Sequence, residues 1–300
     1  MRNYILKTNK AVLLVASALT MACTSVASLA SPIVDTWYYE NDSIFSAAEF
    51  TDKGFGVYSG TTKHTDYELS WGYDVGEGGS FNPPFGRSAV TIGSGTSDTF
   101  TGGGPATGVV DTVFGDGPPA ASEIGIGINI SHWNNPISIF YDELLSGTLR
   151  DSFTLTPTTP GSSSITLTPL EFNFVFNETA NFPSPDTCPG GTPEPCGDLF
   201  GIGGLPNLNP GFEYEGHSYQ ASIFLTDGAG GAAPIGSLLD GECGALGLGN
   251  GCLGWRTDEG VRTSAQFGFT IRSVPEPSSL ALFCLGLSGL IFRRYKTRAA

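Results

Sequence analysis

Apolar side chains recur at every second position in five segments of the chain. Ile124, Ile126, Ile128 and Ile130 alternate with Gly125, Gly127 and Asn129. Phe172, Phe174 and Phe176 alternate with Asn173 and Val175, and Phe267, Phe269 and Ile271 with Gly268 and Thr270. Phe153 and Leu155 sit among Ser152, Thr154 and Thr156, while Tyr219, Ala221, Ile223 and Leu225 form a fifth row. This period of two predicts β-strands with one apolar face and one small or polar face. Residues 34–40, 67–71, 87–92 and 109–114 carry weaker versions of the pattern. Gly, Pro, Asn and Asp clusters separate these segments and predict turns. Residues 142–145 are expected to form one helical turn, and residues 181–197 and 227–251 to be long surface loops. Many short strands in series predict an all-β fold, specifically an antiparallel two-sheet β-sandwich or jelly-roll-like domain. Its ordered part is expected over residues 35–272.

The two ends break the alternation with continuous apolar runs. Arg2, Lys7 and Lys10 precede an apolar stretch over residues 11–22, and small residues follow up to Ser28-Leu29-Ala30. This order predicts a signal peptide over residues 1–30, cut by signal peptidase between Ala30 and Ser31. Near the other end, Pro275-Glu276-Pro277 precedes an apolar run over residues 280–292, closed by Arg293, Arg294, Lys296 and Arg298. As a helix, a run of this length spans about 20 Å, short of the roughly 30 Å hydrocarbon core. The basic end holds that terminus in the cytoplasm. The pattern predicts a short transmembrane helix that serves as a transient stop. The organisation is therefore signal peptide 1–30, exported β-rich domain 31–274 and tail 275–300.

Composition agrees with a β-rich exported body. Gly (42) and Pro (20) are abundant and only 14% of the 300 residues are charged, which disfavours long amphipathic helices. Phe (20) and Tyr (10) supply apolar bulk for a core. The formal charge is −15. The basic residues concentrate in the two ends, so residues 31–274 are still more acidic. Such a surface excludes nucleic acid as a partner, because that binding needs clustered Lys and Arg.

Apart from Cys23 and Cys284 in the two terminal signals, the chain has Cys188, Cys196, Cys243 and Cys252. An even number in an exported domain predicts disulfides, and the close spacing favours local pairs, 188–196 and 243–252. No zinc, nucleophile-elbow, dinucleotide or EF-hand pattern occurs in the exported body. The expectation is a non-enzymatic protein without a cofactor. Carboxylate pairs such as Asp142/Glu143, Glu213/Glu215 and Asp258/Glu259 read as solvated acidic loops. Trp37-Tyr38-Tyr39 could stack on sugar if exposed. One constellation stands out: Ser131-His132-Trp133-Asn134 closes the cleanest strand. His132 and Asn134, two apart, share a face. They either support the Asn135-Pro136 turn or form a ligand or metal site with nearby Asp or Glu.

Pro275-Glu276-Pro277, the short apolar helix and the Arg-rich end resemble the PEP-CTERM sorting signal of Gram-negative bacteria. The resemblance implies that a membrane enzyme, exosortase, recognises and removes the tail. It further implies export through the inner membrane to the cell surface or extracellular space, and association with exopolysaccharide or biofilm matrix. Ser131-His132-Trp133-Asn134 is similar to the motif of the THxN family of PEP-CTERM proteins, with Ser131 where that family has Thr. That family carries no established activity, so the resemblance assigns no catalytic residue. The alternative functions left open are a carbohydrate- or calcium-binding module and, further off, a glycan hydrolase.

Overall fold

A computed structural model describes residues 32–53, 62–72, 87–94, 103–137, 139–159, 162–179, 188–189, 196–226 and 235–275. The expected signal peptide with its Ala30/Ser31 cut, and Glu276, Pro277, Arg293 and Arg294 in the tail, lie outside the described residues. Among the described residues fifteen strands are formed, and helix is almost absent. They are β1 (Thr36–Phe50), β2 (Lys63–His64), β3 (Glu68–Gly72), β4 (Arg87–Ser94), β5 (Ala106–Val113), β6 (Gly125–Trp133), β7 (Leu144–Pro157) and β8 (Ile165–Thr166). They continue with β9 (Leu170–Asn177), β10 (Asp198–Gly204), β11 (Gly211–Tyr214), β12 (His217–Thr226), β13 (Gly236–Ser237), β14 (Leu253–Thr257) and β15 (Arg262–Val274). One short helix, α1 (Asp240–Ala245), precedes β14. Among the described residues no helix is long and apolar enough to cross a membrane.

The chain forms two compact units, the larger made of Val34–Pro210 and Gln220–Arg272. Its main sheet runs β13-β14-β10-β9-β7-β1-β5-β15-β6-β4-β3-β2, with β8 beside β7. The described part of the smaller unit includes Gly211–Tyr219. There β11 turns through Glu215 and Gly216, both at positive φ (48° and 85°), into the start of β12. Two consecutive left-handed residues are what a tight hairpin turn demands.

The expectation of a purely antiparallel arrangement is corrected. β15 pairs antiparallel with β6 but parallel with β5, Ile271 opposite Thr112 and Arg272 opposite Val113. The sheet is mixed. A parallel pair needs a long return between its strands, and the chain between β5 and β15 supplies it. The helical turn expected at residues 142–145 is also absent. Lys53 ties down both acids there: its backbone N–H donates to Asp142 Oδ1 at 2.9 Å and its ammonium pairs with Glu143. β7 begins at Leu144. Conversely, the segment 227–251 expected to be loop contains α1, whose first turn is capped by the Leu239 N–H donating to Glu242 Oε2 at 2.8 Å.

The core is built where the alternating rows meet. Phe200 of β10 stacks on Trp255 of β14 at 3.9 Å and on Phe174 of β9 at 4.6 Å. Phe174 meets Phe45 of β1, and Phe176 meets Trp71 of β3 edge-on at 4.9 Å. Strands distant in the sheet order therefore share one apolar cluster, which also takes in Leu69, Val90, Ile92, Ile128 and Ile130. Each such ring adds specific geometry to its buried area.

β6 departs from the expected one-sided burial. Its glycines are buried, as is most of the strand. A Cβ at Gly125 would lie 2.4 Å from the Phe269 ring, and one at Gly127 would lie 2.7 Å from Asn41 Oδ1. The small residues admit close neighbours instead of facing water. The β15–β6 register slips between Gln266 and Gly268. The backbone groups of β6 freed there find side chains. Tyr39 Oη donates to Ile126 O at 2.9 Å, and Asn41 Oδ1 accepts from Ile128 N at 3.0 Å. Gln266 Nε2 donates to Gly127 O at 2.9 Å and lies 3.1 Å from Ile128 O. Buried backbone groups need such partners.

Polar residues therefore occupy inward positions of β1. Asn41 and Ser43 are buried between the apolar Trp37, Tyr39 and Phe45. The Asn41 amide donates to Asp151 Oδ1 at 2.5 Å, and the Ser43 hydroxyl donates to the same oxygen. Burial raises the Asp151 carboxyl to about 6, against the opposing pull of those hydrogen bonds. Folding thus favours protonated Asp151. Its contribution is fully present below the ordinary value near 4 and is lost as pH rises through about 6. The loss amounts to up to about 3 kcal/mol. Asp151→Asn keeps the acceptor and cannot ionise. Measured by urea unfolding, its stability relative to wild type should rise by about 2–3 kcal/mol between pH 3 and pH 7; a difference that does not change with pH contradicts this account.

Candidate metal centre

Four strand ends of the larger unit converge on one polar cluster. On β6, His132 continues the inward row of Ile128 and Ile130, so its imidazole enters the core and is fully buried. It lies 6.1 Å from the Trp71 ring in a stacked arrangement and 5.0 Å from Phe176 edge-on. Just past the end of β9 comes Glu178. β10 opens with Asp198, opposite Thr257 at the end of β14. Beyond β14, the Asp258-Glu259-Gly260 turn brings in Glu259, closed by the Val261 N–H donating to Asp258 O at 3.2 Å.

Neighbours orient these carboxylates. Trp71 Nε1 donates to Glu178 Oε2 at 2.9 Å. Thr179 holds Asp198 Oδ1 through its backbone N–H at 2.8 Å and its hydroxyl at 3.3 Å. The Thr179 hydroxyl also lies 3.0 Å from Cys196 O, beside the disulfide Cys188–Cys196. One oxygen from each of Glu178, Asp198 and Glu259 lies within 4.8 Å of the other two. His132 Nε2 stands 3.9 Å from Asp198 Oδ2, beyond hydrogen-bond reach. Neither nitrogen of that ring has a hydrogen-bond partner, and Glu178 Oε1 and Asp198 Oδ2 receive no N–H or hydroxyl donor.

Burial dominates the electrostatics. It pushes the His132 imidazole down to about 3, so the ring is neutral at ordinary pH. Burial first, then mutual repulsion with the other acids, pushes Glu178 and Asp198 well above the usual carboxylate range. Burial raises Glu259 to about 7, with the nearby Asn134 amide pulling the other way. Among the described residues no Lys or Arg forms an ion pair with any of the three. Three carboxylates and a neutral imidazole can collect positive charge, as a proton or as a metal ion.

Asn134 does not support the Asn135-Pro136 turn, which corrects one of the two expectations for it. Its amide donates to Thr257 O at 2.9 Å, and its backbone N–H donates to Val261 O at 3.0 Å, fastening β6 to the segment that carries Glu259. The turn is held instead by Asn135, whose amide donates to Arg87 O and whose N–H donates to Ser88 Oγ. Ser131 and Trp133 serve other neighbours. Ser131 meets the Ser264 hydroxyl at 2.5 Å, while Trp133 donates to Thr91 Oγ1 and lies under the Arg262 guanidinium.

The disulfides Cys188–Cys196 and Cys243–Cys252 are the local pairs expected. Of the aromatic triplet, Trp37 and Tyr39 are core residues and only Tyr38 is exposed, so the triplet offers no sugar platform. Sequence reasoning passed over Glu178 and Asp198 and treated Glu259 as a solvated loop residue. The available signal was positional, because each acid sits immediately at or beyond a strand end.

β15 ends at Val274, and Pro275 follows exposed. The tail begins where the last strand stops. Residues 273–294 match the PEP-CTERM protein-sorting motif. This sorting signal indicates an exported protein that exosortase processes and that resides at the surface or outside the cell afterwards. A search of curated proteins finds no match to the chain.

Trp71 joins the core to the carboxylates, and Trp71→Phe removes the indole N–H while keeping an aromatic ring. That leaves Glu178 without its donor and a small void behind it. Urea unfolding should show a loss of about 2–4 kcal/mol; a loss under about 0.5 kcal/mol would show that the bond contributes little.

Proposed function

We propose that the chain is a non-enzymatic surface or extracellular-matrix protein, associated with exopolysaccharide or biofilm and delivered by its sorting tail. The sorting motif at residues 273–294 carries this reading. On it, signal peptidase cuts between Ala30 and Ser31 and the apolar run 280–292 holds the chain in the inner membrane of a Gram-negative cell. Exosortase then cuts near Pro275-Glu276-Pro277. The position of Pro275 supports the order of events, since an exposed residue directly after β15 leaves the enzyme an accessible peptide outside the folded strands.

The mature domain on this reading is a β-sandwich. Contacts between strands far apart in the sheet order support it, such as Trp71 of β3 on Phe176 of β9. Ser131, His132, Trp133 and Asn134 are the THxN-like motif, and their support comes from position. The motif clamps β6 to β4, β15 and the end of β14 through Trp133, Ser131 and Asn134.

Replacing Pro275, Glu276 and Pro277 with alanine tests the delivery. Only Pro275 among the three borders a described strand, and it is exposed, so the domain should fold normally. Cell fractionation with intact-mass analysis should find the variant uncut in the inner membrane, and the wild-type protein outside it, beginning at Ser31 and lacking the tail. Release of the variant at the wild-type rate, with its tail removed, would overturn the proposal.

A further inference from the structure

We propose that Glu178, Asp198 and Glu259 form a binding site for one divalent metal ion, beside the buried imidazole of His132. This goes beyond delivery by the tail and does not depend on it. A single ion with donors at roughly 2.0–2.4 Å can join ligand atoms no further apart than about 4–4.8 Å. The three carboxylate oxygens meet that limit, lying within 4.8 Å of one another. The imidazole is the independent observation. His132 is fully buried, neither ring nitrogen has a hydrogen-bond partner, and Nε2 faces Asp198 Oδ2 at 3.9 Å. That distance is too long for a hydrogen bond, so the ring is aimed at the carboxylates without being satisfied by them. A buried polar ring without a partner is costly, and a water carried by an ion at the carboxylates would relieve the cost.

The supports around the site are those a ligand set needs. Trp71 and Thr179 each fix one oxygen of a carboxylate, which leaves Glu178 Oε1 and Asp198 Oδ2 open. Such partners orient metal ligands and tune their basicity. Three acidic side chains with no Lys or Arg in an ion pair among the described residues can release their protons to a dication, which a neutral guest does not induce. A set of three carboxylate groups suits manganese or zinc, whereas calcium calls for six to eight oxygens.

The test uses the full chain in detergent, stripped with a chelator and titrated calorimetrically with MnCl2, ZnCl2 and CaCl2. Manganese or zinc should bind at one ion per chain with micromolar or tighter affinity, and more tightly than calcium. Asp198→Asn combined with Glu178→Gln should weaken that binding about a hundredfold or more. Electron paramagnetic resonance of the wild type with one equivalent of MnCl2 gives a reading that no variant can confound, and should show the signal of the free ion replaced by that of a bound one. Millimolar or absent binding of all three ions overturns the site, as does wild-type affinity in the double variant. Preferential binding of calcium overturns the choice of manganese or zinc, and a manganese signal that stays that of the free ion overturns the site.

Discussion

Trp71 is where the apolar core and the polar cluster become one structure. Its ring is fully buried, lies edge-on to Phe176 and stacks beside His132, while its indole nitrogen holds Glu178. Without a residue that is apolar over most of its surface and a donor at one point, the aromatic rows could not run up to a group of carboxylates. Trp is the side chain with that combination. β3 is a short strand of five residues, and it is secured in turn by Glu68. That buried carboxylate pairs with Arg87 of β4 and Lys63 of β2, each at 2.6 Å, and accepts from the Ser70 hydroxyl at 2.8 Å. A buried acid with this many donors fixes position, since breaking one partner leaves a desolvated charge behind.

The alternating rows were legible because side chains on a strand face opposite ways, and the strongest rows all became strands. The rows that read weakly are strands as well, and their pattern was faint for a physical reason. In β1 the inward positions include Asn41 and Ser43, which interrupt the apolar count while serving Asp151 and the backbone of β6. In β3 and β4 nearly every described side chain is buried, so alternation carries no contrast. The parallel pairing of β15 with β5 depends on contacts between residues far apart in the chain, which no local pattern encodes. β10, β11, β13 and β14 were too Gly-rich or too short to stand out against the loops around them.

The candidate site was half legible. His132 and Asn134 stood out because they close a clean strand, and a metal site with nearby acids was one of two readings. The acids themselves come from residues 178, 198 and 259, brought together only when β9, β10 and β14 align. Each lies at a strand end, where sequence periodicity stops and a polar residue looks like ordinary loop. Asn134 illustrates the same limit. Its type suggested a local turn, whereas its amide reaches Thr257 across the fold.

The fold thus gathers three acidic side chains beside one buried imidazole in the larger unit, while the sorting tail begins after the last strand. The measurement that bears most directly on this arrangement is anomalous diffraction from crystals of the protein grown with manganese. The account predicts one strong peak about 2.0–2.4 Å from oxygens of Glu178, Asp198 and Glu259. A cluster without that peak, with the imidazole hydrogen-bonded directly to Asp198, would contradict it.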